Sequence, residues 1–323
     1  MIIPQYDDVV AAQKRLSGNA IVTPLLRSDR LNELCGCRVF LKAETLQKGG
    51  AFKYRGARNR LSQLSDVERK TGVVAFSSGN HAIGVAMSAK ELNVPAIIVM
   101  PDDAPQIKVD KVLFQGAEIR FYDRLKENRE DIADEISKTS GRIIVPSYDD
   151  PNIIAGQGTI GLEIIEACHE VDKVIVCMGG GGMCAGISLA VKKLKPAVEI
   201  YGAEPTDYND HQMSLEKGER VKLDNPPYSI CDAIMTPQPG EITWAINAQN
   251  LSGVFTVSDE DCLHAMALVK SELDINLEPG GSVAIASVLK HRPFSKDDVV
   301  VAIGSGGNVD PDMMKRAKGF SAS

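Results

Sequence analysis

The stretch Gly49-Gly50-Ala51-Phe52-Lys53-Tyr54-Arg55-Gly56-Ala57 sets one lysine just past an aromatic residue, where glycines give way to a helix start. In an apolar, water-poor setting such a lysine sheds its proton easily and becomes a nucleophile toward an aldehyde. The competing reading is a solvated lysine in the first turn of a surface helix. A second stretch, Ser77-Ser78-Gly79-Asn80-His81-Ala82, follows an apparent strand and precedes a helix. Backbone N–H groups and hydroxyls at such a helix start form a carboxylate site. Asn80 is short enough to cap the helix or to bond a ligand oxygen. A simple capped turn is the plainer alternative, and His81 alone reads as a structural histidine.

Gly179-Gly180-Gly181-Gly182-Met183 also lies between strand and helix, and its unobstructed N–H groups suit a phosphate. Gly180-x-Gly182-x-x-Ala185 fits the dinucleotide fingerprint as well, with Glu204 ending the next strand where a ribose-binding acid would stand. The pattern marks a phosphate without saying whose. No Gly-Lys-Ser/Thr follows, which excludes a P-loop. The fourth stretch, Gly304-Ser305-Gly306-Gly307-Asn308, puts a hydroxyl at the end of the last apolar strand, where ligands of parallel sheets bind. An ordinary strand-to-loop transition is its alternative.

These motifs need parallel strands to carry them, and the periodicity supplies them. Short β-branched runs predict strands at 72–76, 95–100, 118–122, 142–146, 173–178, 198–203 and 299–303. A 3.6-residue period predicts helices at 81–92, 107–115, 127–138, 153–169 and 183–194. Such alternation implies an α/β fold: parallel sheets covered by helices on both faces. Residues 70–148, with four strand signals, are expected to form a small inserted domain. Residues 1–69 and 149–323 are expected to share the larger sheet. Pro226–Gly240 reads as an irregular connection.

A net charge of −7, with no basic run interleaved with aromatics, argues against nucleic-acid binding. The first eight residues hold no apolar signal region, and no apolar run is long enough for a bilayer, so a cytoplasmic protein is expected. Seven scattered cysteines read as reduced, buried thiols rather than a disulfide framework. Cys35-Gly36-Cys37 reads as a turn leading into a strand rather than as half of a metal site.

Taken together, in this order and over most of the chain, the four motifs resemble the serine racemase and threonine/serine dehydratase family of fold-type II pyridoxal-phosphate enzymes. Ile154-Ala155-Gly156-Gln157-Gly158-Thr159 is similar to that family too. The resemblance favours pyridoxal phosphate over a nicotinamide nucleotide. It implies that Lys53 carries the cofactor as a Schiff base, with Phe52 beside the ring and Asn80 on its 3-oxygen. Gly179, Gly180, Gly181, Gly182 and Met183 would bind the phosphate, and Ser305 would face the ring nitrogen. Ser77, Ser78, Asn80 and His81 would line the substrate carboxylate. Ser78 matches the serine that the family's racemases place on the cofactor's opposite face, and Arg129 an arginine facing the substrate's distal group. Glu204, the Tyr208 carbonyl and Asp210 match a divalent-cation site for Mg²⁺ or Ca²⁺.

The implied reaction is elimination of water from serine, threonine or 3-hydroxyaspartate to give a keto acid and ammonia, with amino-acid racemisation as the alternative. A non-catalytic cofactor-binding protein is disfavoured by Lys53 and Ser78. A β-replacement enzyme is disfavoured by His81, which stands where those enzymes have threonine. A homodimer acting on a small hydroxy amino acid is expected. Three departures fall beside the expected substrate pocket: Ala51 in place of a serine, Glu278-Pro279-Gly280-Gly281-Ser282 without a hydroxylated residue after the proline, and Cys231-Asp232-Ala233 in place of Ala-Asp-Gly.

Overall fold

Ten strands form two sheets in the computed structural model, which describes residues 1–104 and 106–322. In chain order they are β1 (Leu25–Leu26), β2 (Arg38–Ala43), β3 (Val73–Phe76), β4 (Ala96–Pro101), β5 (Glu118–Tyr122), β6 (Ile143–Ile144), β7 (Lys173–Cys177), β8 (Glu199–Pro205), β9 (Gly253–Val257) and β10 (Val299–Gly304). One sheet runs β1-β2-β10-β7-β8-β9 and the other β5-β4-β3-β6. Every pairing is parallel except β1 with β2. The second sheet draws only on residues between 73 and 144.

Strands buried on both faces need apolar residues at every position, and β10 has six buried residues in a row. It sits between β2 and β7, at the heart of the main core. The turn at Gly36 is left-handed (φ 71°) and leads into β2. All seven cysteines are buried and free. The strand expected at 142–146 shortens to Ile143–Ile144, because Val145 bonds onward to β3 and the chain then breaks away. β9 had no sequence counterpart among the expected strands: as an edge strand it is mostly half-buried and lacks a clean alternation.

Asp150 caps the helix Pro151–Ala167 by accepting from the N–H groups of Asn152 and Ile153, with Pro151 at its first turn. The helix therefore starts two residues before the periodicity suggests. It crosses the helix Lys53–Ser62 at Gly56 and Gly156, where a Cβ on Gly156 would lie 2.7 Å from the Arg55 carbonyl oxygen. That close approach fixes the helix that begins with Lys53. Among the described residues, no helix is long and apolar enough to cross a membrane.

Candidate active site

The carboxyl ends of β3, β7 and β10 run into the Ser77, Gly179 and Ser305 motifs, as parallel strands deliver ligand-binding loops. All three motifs, with Lys53, line one cavity of about 550 Å³. Lys53 is the first residue of its helix, and the surface it keeps faces this cavity. Its Nζ donates to the Ser147 carbonyl (2.6 Å) and lies 5.1 Å from the centre of the Phe52 ring. Among the described residues no carboxylate pairs with it, and burial pushes the amine down to about 8.

The glycine loop turns at Gly181, which is left-handed (φ 89°). Its carbonyls are tied outward. Gly179 O accepts from His211 Nε2 (2.9 Å), Gly180 O from Thr243 Oγ1 (2.6 Å) and Gly181 O from Asn247 Nδ2 (3.1 Å). The first N–H groups of the helix Gly182–Leu194, Met183 among them, have no partner within their helix and remain for an anion. A Cβ on Gly180 would fall 2.3 Å from the Tyr148 ring, so no side chain fits there.

Asn80 is held at both ends of its amide: Oδ1 accepts from Asn308 Nδ2 (2.7 Å) and Nδ2 donates to Glu278. One of its N–H groups stays free. Glu278 is buried beside it, and burial, then the charge of Asp232, pushes its carboxyl up to about 7. His81 Nε2 bonds the Val145 carbonyl (2.9 Å), and burial drives the ring down to about 3, so it is neutral. Ser77 Oγ accepts from Gly79 N, whereas the Ser78 hydroxyl has no hydrogen bond among the described residues. Cys177 Sγ donates to Ser305 Oγ (3.2 Å), which leaves the Ser305 proton free to point elsewhere. Arg129 lines the same cavity, its guanidinium 5.6 Å above the Phe76 ring and in no ion pair among the described residues.

Glu204 lies apart. Its carboxylate is fully buried and accepts from the backbone N–H groups of His211 (3.0 Å) and Gln212 (3.1 Å), and it does not line the cavity. The dinucleotide pattern is therefore corrected: its acid faces away from the glycine loop's ligand side and cannot meet a ribose there. Glu204, Asp210 and His211 instead offer ligand atoms all within 4.8 Å of one another. Asp210 Oδ2 has no partner among the described residues although buried, which fits a cation between the two carboxylates. Tyr208, in the turn Thr206–Tyr208, is buried close by.

Several cavity residues escaped the sequence reading. Lys108 Nζ meets Asp232 Oδ2 (2.8 Å) across the cavity, joining the helix Gln106–Phe114 to the segment 226–240. That segment is irregular apart from the turn Asp232–Ile234, and it lines one side of the cavity. Tyr148, just before the cap residue Asp150, also lines the cavity.

A lysine with a lowered pKa and an anion cradle in one cavity suit a phosphorylated aldehyde, the lysine taking the carbonyl and the cradle the phosphate. Residues 16–306 match the family of pyridoxal-phosphate dependent enzymes, and the chain belongs to it. It is 42% identical over 310 residues to a serine racemase of Schizosaccharomyces pombe, covering 96% of each chain. It is also 42% identical over 316 residues to an L-threo-3-hydroxyaspartate ammonia-lyase of Saccharomyces cerevisiae, covering 98% of this chain and 96% of that one. The structure of maize serine racemase superposes with a TM-score of 0.93 at 32% identity, over 99% of this chain and 98% of that one.

Proposed function

We propose that the protein is a deaminating dehydratase of small 3-hydroxy amino acids, with 3-hydroxyaspartate its preferred substrate. Arg129 carries this choice. Its guanidinium lines the cavity that holds Lys53 and forms no ion pair among the described residues, so it is available to a second carboxylate on the substrate. Serine and threonine have no such group.

Lys53 would hold the cofactor, with Phe52 beside the ring, Asn80 on its 3-oxygen, Gly179 to Met183 on its phosphate and Ser305 at its ring nitrogen. Bound pyridoxal phosphate supplies an aldehyde for the substrate amine and an aromatic ring that draws electrons from the α-carbon. Ser77, Ser78, Asn80 and the N–H groups around His81 bind the α-carboxylate. Lys53, its amine kept easily deprotonated by burial, takes the α-proton. The β-hydroxyl leaves, and the product is a keto acid with ammonia. The neutral hydroxyl of Ser305 keeps less positive charge on the ring than a carboxylate would, which suits a reaction that expels its leaving group at once. Glu204, the Tyr208 carbonyl and Asp210 form a divalent-cation site whose hard oxygens suit Mg²⁺ or Ca²⁺. Residues 70–148 act as a small domain on a larger one, and the working unit is a cytoplasmic homodimer.

The test is keto acid release by the purified protein from L-threo-3-hydroxyaspartate, L-serine and L-threonine. Hydroxyaspartate should give the highest kcat/KM, and Arg129→Leu should lower that value by about 10²-fold or more while sparing serine. Equal use of serine with no effect of Arg129→Leu would refute the substrate. Racemisation is the second reading, favoured by the free hydroxyl of Ser78 in the cavity.

A further inference from the structure

We infer that His211 is a ligand to the divalent cation through Nδ1 and, through Nε2, the strut that ties the cation to the phosphate-binding loop. The inference rests on the cation reading given above and adds to it a nitrogen donor and a route to the cofactor.

The tautomer follows from the partners. The Gly179 carbonyl can only accept, so Nε2 carries the hydrogen of their 2.9 Å bond. Nδ1 is then a bare lone pair, buried and without a partner among the described residues. A buried acceptor with nothing to accept from is rare and calls for a reason. Asp210 Oδ2 is a second such atom, one residue away. An imidazole nitrogen of His211 lies within 4.8 Å of the carboxylate oxygens of Glu204 and Asp210. Both carboxylates are buried, and no Lys or Arg side chain forms an ion pair with either among the described residues. One cation satisfies all three groups.

Ligating histidines commonly donate their other ring N–H to a carbonyl or carboxylate, which orients the ring. Here that carbonyl belongs to Gly179, the first residue of the phosphate loop. The ring also abuts the loop's left-handed residue, since a Cβ on Gly181 would lie 2.7 Å from His211 Cε1. A cation on Nδ1 makes Nε2–H a stronger donor and stops the ring from turning. The Gly179 carbonyl is then held outward, and the loop N–H groups stay aimed at the phosphate. Cation and cofactor each favour the same loop position, so each tightens the other's binding by one shared factor.

The donor set also bears on which cation is bound. Oxygen donors alone suit Mg²⁺ or Ca²⁺, whereas two carboxylates with an imidazole favour Mn²⁺ and its later first-row neighbours.

Metal-stripped full-length protein, freed of cofactor, is titrated with Mn²⁺ and Mg²⁺ by calorimetry, and with pyridoxal phosphate by absorbance with and without Mn²⁺. We expect Mn²⁺ to bind about 10-fold or more tightly than Mg²⁺. Saturating Mn²⁺ should raise pyridoxal phosphate affinity about 10-fold, and the cofactor should raise Mn²⁺ affinity by the same factor. Two substitutions split the ring's two tasks. His211→Asn puts an oxygen near Nδ1 and nothing against Gly179, so a cation still binds but the mutual tightening disappears. His211→Gln offers an N–H to Gly179 without the ring's lone pair, so metal-free cofactor affinity holds and the Mn²⁺ preference is lost. Mn²⁺ binding no tighter than Mg²⁺ in wild type overturns the nitrogen ligand, and that arm needs no variant. Cation binding without effect on cofactor affinity overturns the strut alone. Failure of any cation to bind overturns both the inference and the cation reading beneath it.

Discussion

Two lysines eleven positions apart meet opposite surroundings: Lys42 is buried, and Lys53 lines the cavity. Lys42 Nζ sits 2.5 Å from Glu163 and 2.6 Å from the Thr23 carbonyl, with Glu44 3.9 Å away. Arg55 completes that cluster, its guanidinium bonded to both Glu44 (2.8 Å) and Glu163 (2.5 Å). Lys53 has a carbonyl and an aromatic ring and, among the described residues, no carboxylate. Burial lowers the pKa of both amines, but around Lys42 two carboxylates work against it. The helix Lys53–Ser62 holds both environments, because residues two apart point to different sides. Lys53 faces the cavity, and Arg55 anchors the helix to the turn after β2 and to the helix Pro151–Ala167. Ion pairing ties one basic group into the scaffold; the other, without a carboxylate partner among the described residues, lines the cavity.

Removing Lys53 breaks this contrast most directly. Lys53→Ala should cut keto acid release by about 10³-fold or more while leaving the melting temperature of the protein nearly unchanged. In wild type, borohydride should fix the cofactor on Lys53, and peptide mapping that finds it on another lysine would end the comparison. Arg55→Leu is the mirror experiment. It strands Glu44 and Glu163 in the core, and urea unfolding should report a loss of about 3–5 kcal/mol. A smaller loss than that of an average surface substitution would mean the cluster does not hold the helix.

Glu278 tests the middle ground, a buried acid whose carboxylate accepts from the Asn80 amide and from no other group among the described residues. Its carboxyl is raised from 4.5 to about 7, so the folded, cofactor-free protein binds the extra proton between these values. Its contribution is whole below about pH 4.5 and is lost as pH rises through about 7, on the order of 3 kcal/mol in all. Glu278→Gln should flatten that part of the stability–pH curve, measured by urea midpoints from pH 4.5 to 7.5. An unchanged slope would show that Glu278 ionises freely.

Ser78→Ala is the finest cut, since it removes one hydroxyl and no charge. Any interconversion of enantiomers should fall by about 10²-fold, while elimination from the L-substrate survives in part. Enantiomer-resolved product analysis decides it, and undiminished racemisation would assign the second proton to another group.

The motifs that line the cavity were legible in the sequence because each piece is contiguous: a lysine after glycines, four glycines after a strand, serines before a helix. The reading of Lys53 needed only its neighbours in the chain. The Lys42 cluster was not legible, since its members come from β2, the turn after it and two helices, and Glu163 lies 121 residues from Lys42. Helix ends moved where side-chain caps overrode periodicity, as Asp150 does. Glu204 shows the opposite failure: a residue in register with a known fingerprint whose side chain faces elsewhere. Spacing records distance along the chain, and burial decides direction.

The cavity is closed by stitches between the two ends of the chain. Phe52 N donates to the Ser305 carbonyl (3.0 Å), Gly307 N to Gly50 O (2.9 Å) and Asn308 Nδ2 to Gly49 O (2.7 Å), while Ala51 bridges Gly306. Some 250 residues separate the partners, and β10, which brings them together, fills the gap between β2 and β7. During synthesis the lysine and most of both sheets emerge long before their final strand. The nascent chain therefore cannot complete these contacts until the residues after β10 have emerged.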